Sequence, residues 1–390
     1  MLKTDEPVRL GVCGLGRAFV LTQAALESDP RIRMVAACAP RQASRAAFET
    51  RFEGAKAYPD LASLCADGNV DAIYIATPHG LHADQVCQAA RAGKHLLVEK
   101  PLAVSLQDAH RMIAAVNEAK VHAIVGPSHS FDAPVAQASA MIASGCLGEV
   151  RMIQAFNYTD FLYRPRRPEE LRTAEGGGVV FSQGIHQVDV VRRLAGRRAE
   201  SVYACTGNWD AQRDTEGAYL AIIRFAGGLS ASLTYSGYAH FDSDEWMGWM
   251  GELGHPKAPD DYGRARQALR QVSTPEQEVL LKSQRTFGAA AQPPATQAEE
   301  HFGPVIVSLD QADLRLNASG VHVYGDVAKR FEPVPDQRTP RTGVVDALVK
   351  AVRQDDAPLQ SLDWGLASLE ICHAMLESAS SGMPVSLKHQ

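Results

Sequence analysis

Glu99-Lys100-Pro101 closes a short apolar run, His95–Glu99. A lysine at the carboxyl end of a strand can orient a substrate hydroxyl and, with its pKa lowered, share a proton with it. Taken alone, such a lysine is more simply a solvated surface residue. A second stretch runs Gly176-Gly177-Gly178-Val179-Val180-Phe181-Ser182-Gln183-Gly184-Ile185-His186-Gln187-Val188-Asp189. Ser182, His186 and Asp189 recur there at helical spacing, which puts them on one face. An imidazole suits proton transfer near neutral pH. The plain alternative is a histidine held by a helix neighbour such as Asp189. A third stretch, Leu10–Phe19, reads LGVCGLGRAF. Gly14, Gly16 and Arg17 fall where a strand turns into a helix, and glycine there lets backbone N–H groups approach a pyrophosphate. Phe19 occupies the third glycine position of the GxGxxG fingerprint, so the motif is incomplete.

Further candidates follow the other strand ends. An NAD enzyme commonly offers Asp or Glu to the adenosine ribose after its second strand; here the chain reads Cys38-Ala39-Pro40-Arg41, with Ser44 and Arg45 beyond. Arg41 either pairs a 2′-phosphate or, with Arg45, is a solvated residue opening a helix. Thr77 and Pro78 are expected on the nicotinamide ribose side, with His82 a turn later, although Thr-Pro is also a helix-start signal. Arg164, Arg166 and Arg167 form a cationic cluster. Guanidinium forks match carboxylates; the competing reading is salt bridges to Glu169 and Glu170. His79, His82, His129, His186 and His240 are dispersed, so no metal is expected from their spacing. His129 follows the last short apolar run of the first half and either reaches the crevice or packs in its loop.

The elements that must hold these residues alternate over the first 127 positions. Val8–Gly14, Met34–Ala39, Asp71–Thr77, His95–Glu99 and Ala123–Val125 read as strands, separated by helical stretches. Short, nearly continuous apolar strands between helices predict a parallel sheet covered on both faces, the doubly wound Rossmann arrangement, over 1–127. From 128 to 390 the pattern predicts an α+β domain with an open, mainly antiparallel sheet. Its strands include Val150–Asn157, Ser201–Thr206, Gly217–Phe225, Leu229–Tyr238, Val305–Leu309, Asp313–Asn317, Gly320–Tyr324 and the short Pro384–Leu387. The polar segment 243–302 reads as an insertion with one helical stretch, 263–283, and helices are expected between 343 and 379.

The 390 residues carry a net charge of −6, with 45% hydrophobic and 22% charged residues. That balance gives no global field for nucleic acid or an anionic membrane. The seven cysteines form no CxxC pair, which favours a reduced, cytoplasmic setting. No apolar run reaches the ~18 residues of a membrane span.

VRLGVCGLGRAF, DAIYIATPHGLHADQVCQAARAGKHLLVEKPLA and GGGVVFSQGIHQVD together resemble the Gfo/Idh/MocA oxidoreductases. The resemblance implies an NAD(P)-binding Rossmann domain, Lys100 and His186 as catalytic residues, Glu99 beside the cofactor, and a C-terminal sheet that forms a homo-oligomer. Many members carry Asp four residues before that histidine; Ser182 stands here and cannot act as a carboxylate base, and the adjacent Gln183 can only hydrogen-bond. FNYTDFLYRPRRPEEL, with SQGIHQVD and the insertion, resembles the phthalate cis-4,5-dihydrodiol dehydrogenase branch. That implies a small cyclic diol carrying carboxylates as substrate, with Arg164, Arg166, Arg167, Ser182 and Gln183 around it. A sugar or inositol dehydrogenase and a non-catalytic nucleotide sensor are the alternatives.

Overall fold

Val8–Cys13 (VRLGVC, β1) buries every residue except Arg9, as a strand covered on both faces must. The same holds for Ile32–Cys38 (β2) beyond Arg33, and for Ala72–Ile75 (β4) throughout. With Lys56–Tyr58 (β3), His95–Val98 (β5) and Ala123–Val125 (β6) they form a six-stranded parallel sheet in the order β3-β2-β1-β4-β5-β6. Strand order reverses between β1 and β4, which is where an open α/β sheet leaves its ligand crevice. Fully buried Leu10, Ile73, Ile75, Leu96 and Leu97 form its core, each side chain contributing about 1.5–3 kcal/mol.

This computed structural model describes residues 6–260, 263–289, 296–335 and 339–390. Contacts divide the chain into two compact units. The first comprises 6–127, 280–289 and 341–366; the second comprises 128–260, 263–279, 296–335, 339–340 and 367–390. The chain therefore returns twice to the first unit. On the first return, Phe287 packs among Phe19, Phe48 and Phe52, and its N–H donates to the Leu15 carbonyl at 3.3 Å. On the second, the helix Thr342–Gln354 packs on β1 and β5. Arg353 there donates to Asp71 at 2.8 Å, and Asp71 also accepts from the backbone and guanidinium of Arg9. Burial alone would raise the Asp71 pKa, but these donors hold it below the ordinary range. Breaking such a buried pair costs about 3–5 kcal/mol.

The second unit is built on a nine-stranded sheet. Its strands are Val150–Tyr158 (β7), Ala199–Gly207 (β8), Ala218–Phe225 (β9), Ser230–Ser236 (β10), Val305–Leu309 (β11), Ala312–Asn317 (β12), Gly320–Gly325 (β13), Lys329–Pro333 (β14) and Val385–Ser386 (β15). Their order is β14-β13-β12-β11-β7-β10-β9-β8-β15, antiparallel except for β7 with β10. Burial alternates along them, as in the BBeBeBeB pattern of β9, so one face is packed and the other open. The helices Ala133–Ala143 and Ile185–Ala195 lie against the sheet. One cross-strand row on the open face reads Tyr203, Ile222, Ser232, Gln154, Ile306, Arg315, His322, Phe331. Tyr203, Ile222 and Phe331 in it, with Leu220 and Met152 beside it, are 42–59% exposed.

The two strands that pattern reading passes over, β3 and β14, are both sheet edges. Short, charged, partly exposed segments such as KAY and KRFEP carry little apolar signal. The helical stretch expected over 263–283 is two helices, Arg264–Leu269 and Pro275–Ser283. Pro275 lacks the N–H that a continuing helix would use, so it starts the second one. Among the described residues no helix is long and apolar enough to cross a membrane, and every described cysteine is a thiol.

Candidate active site

In the first unit, Gly14 (φ +96°) turns the chain out of β1 so tightly that a Cβ would sit 2.8 Å from the Ala76 carbonyl oxygen. Only glycine fits there. The helix Arg17–Ser28 then begins at an extended Gly16 with no side-chain cap and no acid in its first turn. Gly16 has no side chain to cap the leading N–H groups, at the point where a phosphate would be held. The half-buried Arg17 has its pKa lowered by burial and by the like charges of Arg285 and Arg341. These two come from the returning segments; neither has a local sequence signal.

At the end of β2, Arg45 donates to the Ala39 and Pro40 carbonyls, both at 2.8 Å, and so braces the loop. Arg41 donates to the Thr286 hydroxyl at 2.8 Å. Arg41 is thus neither simply solvated nor held by its own helix; it meets the segment that carries Phe287. Beyond β4, the Thr77 hydroxyl donates to Gln85 at 2.5 Å, and Pro78 leads into the short turn His79–Leu81.

Two residues expected at the cofactor, His82 and Glu99, also hold the strand ends. His82 is buried with Nε2 3.0 Å from the Thr77 carbonyl and Nδ1 3.2 Å from those of Pro101 and Leu102. Burial lowers its pKa despite these carbonyls. Its ring ties the loop after β4 to the loop after β5 and is a positioning group. Glu99 is also buried; burial raises its pKa, and it accepts the Tyr74 hydroxyl at 2.5 Å. Tyr74 in turn meets Thr22 (3.2 Å), which accepts from Arg341 (2.9 Å). Glu99 therefore anchors the strand end from beneath, while Lys100, half-buried, follows it with a cis peptide to Pro101.

In the second unit the triple glycine is a close-packed corner. A Cβ on Gly178 (φ +77°) would lie 2.0 Å from the buried Glu216 carboxylate, which accepts the Val180 N–H. Val180–Gly184 is a single π-helical turn leading into Ile185–Ala195. Such turns recur at functional sites, and this one breaks the regular spacing expected from Ser182 to His186. Ser182 donates to the Gly178 carbonyl at 2.5 Å. Gln183 accepts from the Tyr235 hydroxyl at 3.3 Å. Asp189, the helix neighbour named in the plain alternative for His186, accepts from Ser128 at 2.5 Å. The buried His186 ring lies edge-on to His129, centroids 4.7 Å apart, with Phe302 against both.

The three arginines prove chemically distinct. Arg164 is held by Asp160 (3.0 Å) and Glu252 (3.3 Å); burial opposes its charge, but these carboxylates raise its pKa. Arg167 lies 3.0 Å from Glu169 and 3.6 Å from Glu170. This is the geometry of the salt-bridge reading. Arg166 sits 3.5 Å over the Phe161 ring, donates to the Phe161 carbonyl at 2.8 Å and has Glu170 only at 4.0 Å. Burial pushes its pKa down to about 10. Its backbone N–H donates to Glu278 (2.6 Å), which is bound by buried Arg213 (2.8 Å). Tyr235 connects this loop to Gln183 and Thr159. Sequence reasoning missed Glu252, Glu278 and Tyr235 because their partners lie 50 or more positions away, at Arg164, Arg166 and Gln183.

Residues 8–127 match the Gfo/Idh/MocA "Oxidoreductase family, NAD-binding Rossmann fold", and residues 135–255 match the "GFO/IDH/MocA C-terminal domain". The chain belongs to the Gfo/Idh/MocA oxidoreductase family. It is 42% identical over 374 residues to the 1-carboxy-3-chloro-3,4-dihydroxycyclohexa-1,5-diene dehydrogenase of Comamonas testosteroni, covering 95% of this chain and 94% of that protein. A dehydrogenase structure from Bordetella bronchiseptica RB50 superposes with a TM-score of 0.93 at 40% identity, over 98% of this chain and 100% of that one. The WlbA dehydrogenase from Bordetella pertussis, solved with NADH and UDP-GlcNAcA, shares the fold (TM-score 0.71, 22% identity, 98% and 99% coverage). This Gfo/Idh/MocA member is thus an NAD(P)-dependent oxidoreductase. The Gly14 turn and the uncapped helix after Gly16 fit a dinucleotide pyrophosphate.

Proposed function

We propose that this oxidoreductase oxidises a cis-diol on a carboxylated cyclohexadiene, and that Lys100 and His186 are its catalytic residues. The observation that carries the substrate class is Arg166: a guanidinium only 12% exposed, with Glu170 no nearer than 4.0 Å, on a loop held in place by Glu278. Its fork suits a substrate carboxylate. The Comamonas relative, whose name specifies a carboxylated dihydroxycyclohexadiene, supports the same reading. The nicotinamide, when bound, supplies a two-electron acceptor for a hydride. Gly14, Gly16 and Arg17 would hold the pyrophosphate, with Thr77 and Pro78 at the ribose and Ala39 and Arg41 at the adenosine end. Lys100 hydrogen-bonds the substrate hydroxyl as it becomes alkoxide-like, and His186 accepts its proton. The carbinol carbon loses one hydride and its oxygen one proton, leaving a hydroxyenone that tautomerises to a catechol. Aromatisation draws the reaction forward, which accommodates Ser182 where a carboxylate is common.

Purified protein is expected to reduce NAD⁺ or NADP⁺ with phthalate cis-4,5-dihydrodiol or a monocarboxylated cis-dihydrodiol, followed at the absorbance of the reduced cofactor. Turnover of myo-inositol but of neither diol would overturn the assignment.

We further propose a homo-oligomer formed through the open sheet face. The exposed row around Ile222, Tyr203 and Leu220 supports it, since apolar faces of this kind are rarely left to water. Light scattering is expected to give a mass above that of one chain, falling to it in Ile222→Glu; a monomeric wild type would end this proposal.

A further inference from the structure

Phe19 stands where the dinucleotide fingerprint has its third glycine, the residue that lets helix and strand pack closely. The fold gives that ring a partner. Phe19 is fully buried, and Phe287 lies against it with ring centroids 5.3 Å apart. Phe287 also meets Phe48, on the helix Gln42–Arg51, at 6.1 Å, and Phe52, just past that helix, at 6.3 Å. One side chain of the returning segment 280–289 therefore bridges the helix after β1 and the helix after β2. In a dinucleotide fold these two elements face the pyrophosphate and the adenosine ribose. A backbone bond sets the register, since the Phe287 N–H reaches the carbonyl of Leu15, between Gly14 and Gly16 in the turn itself. One position back, Thr286 accepts from Arg41 at 2.8 Å and donates to the Ser283 carbonyl at 2.7 Å. Two positions back stands Arg285, whose side chain is exposed. Burial lowers the Arg17 pKa, and the nearby Arg285 charge lowers it further.

We infer that this returning segment is part of the dinucleotide site, with Phe287 anchoring it against Phe19 and Arg285 pairing with the cofactor's pyrophosphate. An NAD(P)-binding domain over residues 8–127 is given by the family. The inference rests on the reading that the pyrophosphate lies at Gly14, Gly16 and Arg17. The Phe287 bond to Leu15 ties the segment to that turn, and the Thr286 bond to Arg41 ties it to the end of the loop after β2. Between these two bonds the chain has little freedom to carry Arg285 elsewhere. A pyrophosphate brings negative charge to this place, and a guanidinium can donate two parallel bonds to its oxygens. Phe19 thus takes on a use that the incomplete fingerprint leaves open. It gives up the close packing of a third glycine and supplies the ring on which the distant segment docks. Arg285 lies 271 positions beyond Gly14 (285 against 14), so no motif reading could join them. The competing role is a plug that only stiffens the aromatic cluster; that role predicts no effect of the Arg285 charge on cofactor affinity.

The test is fluorescence titration of the full-length protein with NADH and separately NADPH, at low and at physiological salt, with the melting temperature of the cofactor-free protein measured alongside. Wild type is expected to bind at least one of the two. Arg285→Ala is expected to weaken that binding by about tenfold or more, the loss of a charge-assisted hydrogen bond. Its affinity should also fall less steeply with salt than that of wild type, because one screened attraction is gone. Its cofactor-free melting temperature should match wild type, since the side chain is exposed. Arg270→Ala, which removes another exposed cation, should bind as wild type does. Equal affinity in wild type and Arg285→Ala overturns the inference and leaves the reading of the glycine turn standing. A loss in Arg285→Ala with unchanged salt dependence and a lowered melting temperature marks the plug and overturns it too. Failure of wild type to bind either dinucleotide overturns both the inference and the reading beneath it.

Discussion

His186→Asn is expected to lower kcat on a carboxylated cis-dihydrodiol by about 10²–10⁴-fold, the range general-base catalysis supplies. KM should change little, because in the proposed role the imidazole acts on a proton that moves only in the transition state. The variant keeps a polar side chain of similar bulk against His129 and Phe302, so its melting temperature should stay within a few degrees of wild type. Lys100→Met should produce a comparable fall. The double variant should lose much less than the product of the two, because groups acting on one proton transfer are strongly non-additive. Stopped-flow single turnover measures the chemical step apart from release. A kcat within threefold of wild type in a folded His186→Asn would remove the imidazole from the chemistry.

The second large effect is on binding. Arg166→Lys is expected to raise KM for the carboxylated diol by about 10–100-fold, the equivalent of losing a charge-assisted fork of roughly 1.5–3 kcal/mol. The same change should leave kcat/KM for an uncarboxylated cis-diol nearly unaltered. This split separates a carboxylate contact from a merely structural guanidinium, which would penalise both substrates alike. Arg167→Ala should do little, since its charge is spent on Glu169 and Glu170 at the surface, where ion pairs are worth little. Equal losses on both substrates in Arg166→Lys would refute a carboxylate contact.

The sequence was informative where a local rule had a local consequence. Apolar runs of three to seven residues between helices announced five of the six parallel strands, because burial on both faces leaves few polar positions to blur the pattern. The exposed edge strand β3 lacked that signal. Gly14 was legible for the same reason: its constraint comes from a turn within its own motif.

The arginine loop shows the limit. Three guanidiniums in RPRR look alike in sequence, and only their distant partners sort them. Glu252 neutralises Arg164 and Glu278 fixes the backbone at Arg166, while Arg167 is left with its neighbours. His82 and Glu99 likewise sit in motifs that suggest ligand contact. Their bonds to Pro101, Leu102 and Tyr74, which motif reading does not foresee, hold the strand ends.

From sequence by itself came the Rossmann domain, the open-sheet partner, the family resemblance and the candidate residues, all properties set by short-range periodicity and motif. Tertiary structure alone decided which charges are already matched, that segments 280–289 and 341–366 return to the nucleotide unit, and that Phe287 meets Phe19. Electrostatic pairing and burial depend on distance in space, and separation along the chain carries no record of it.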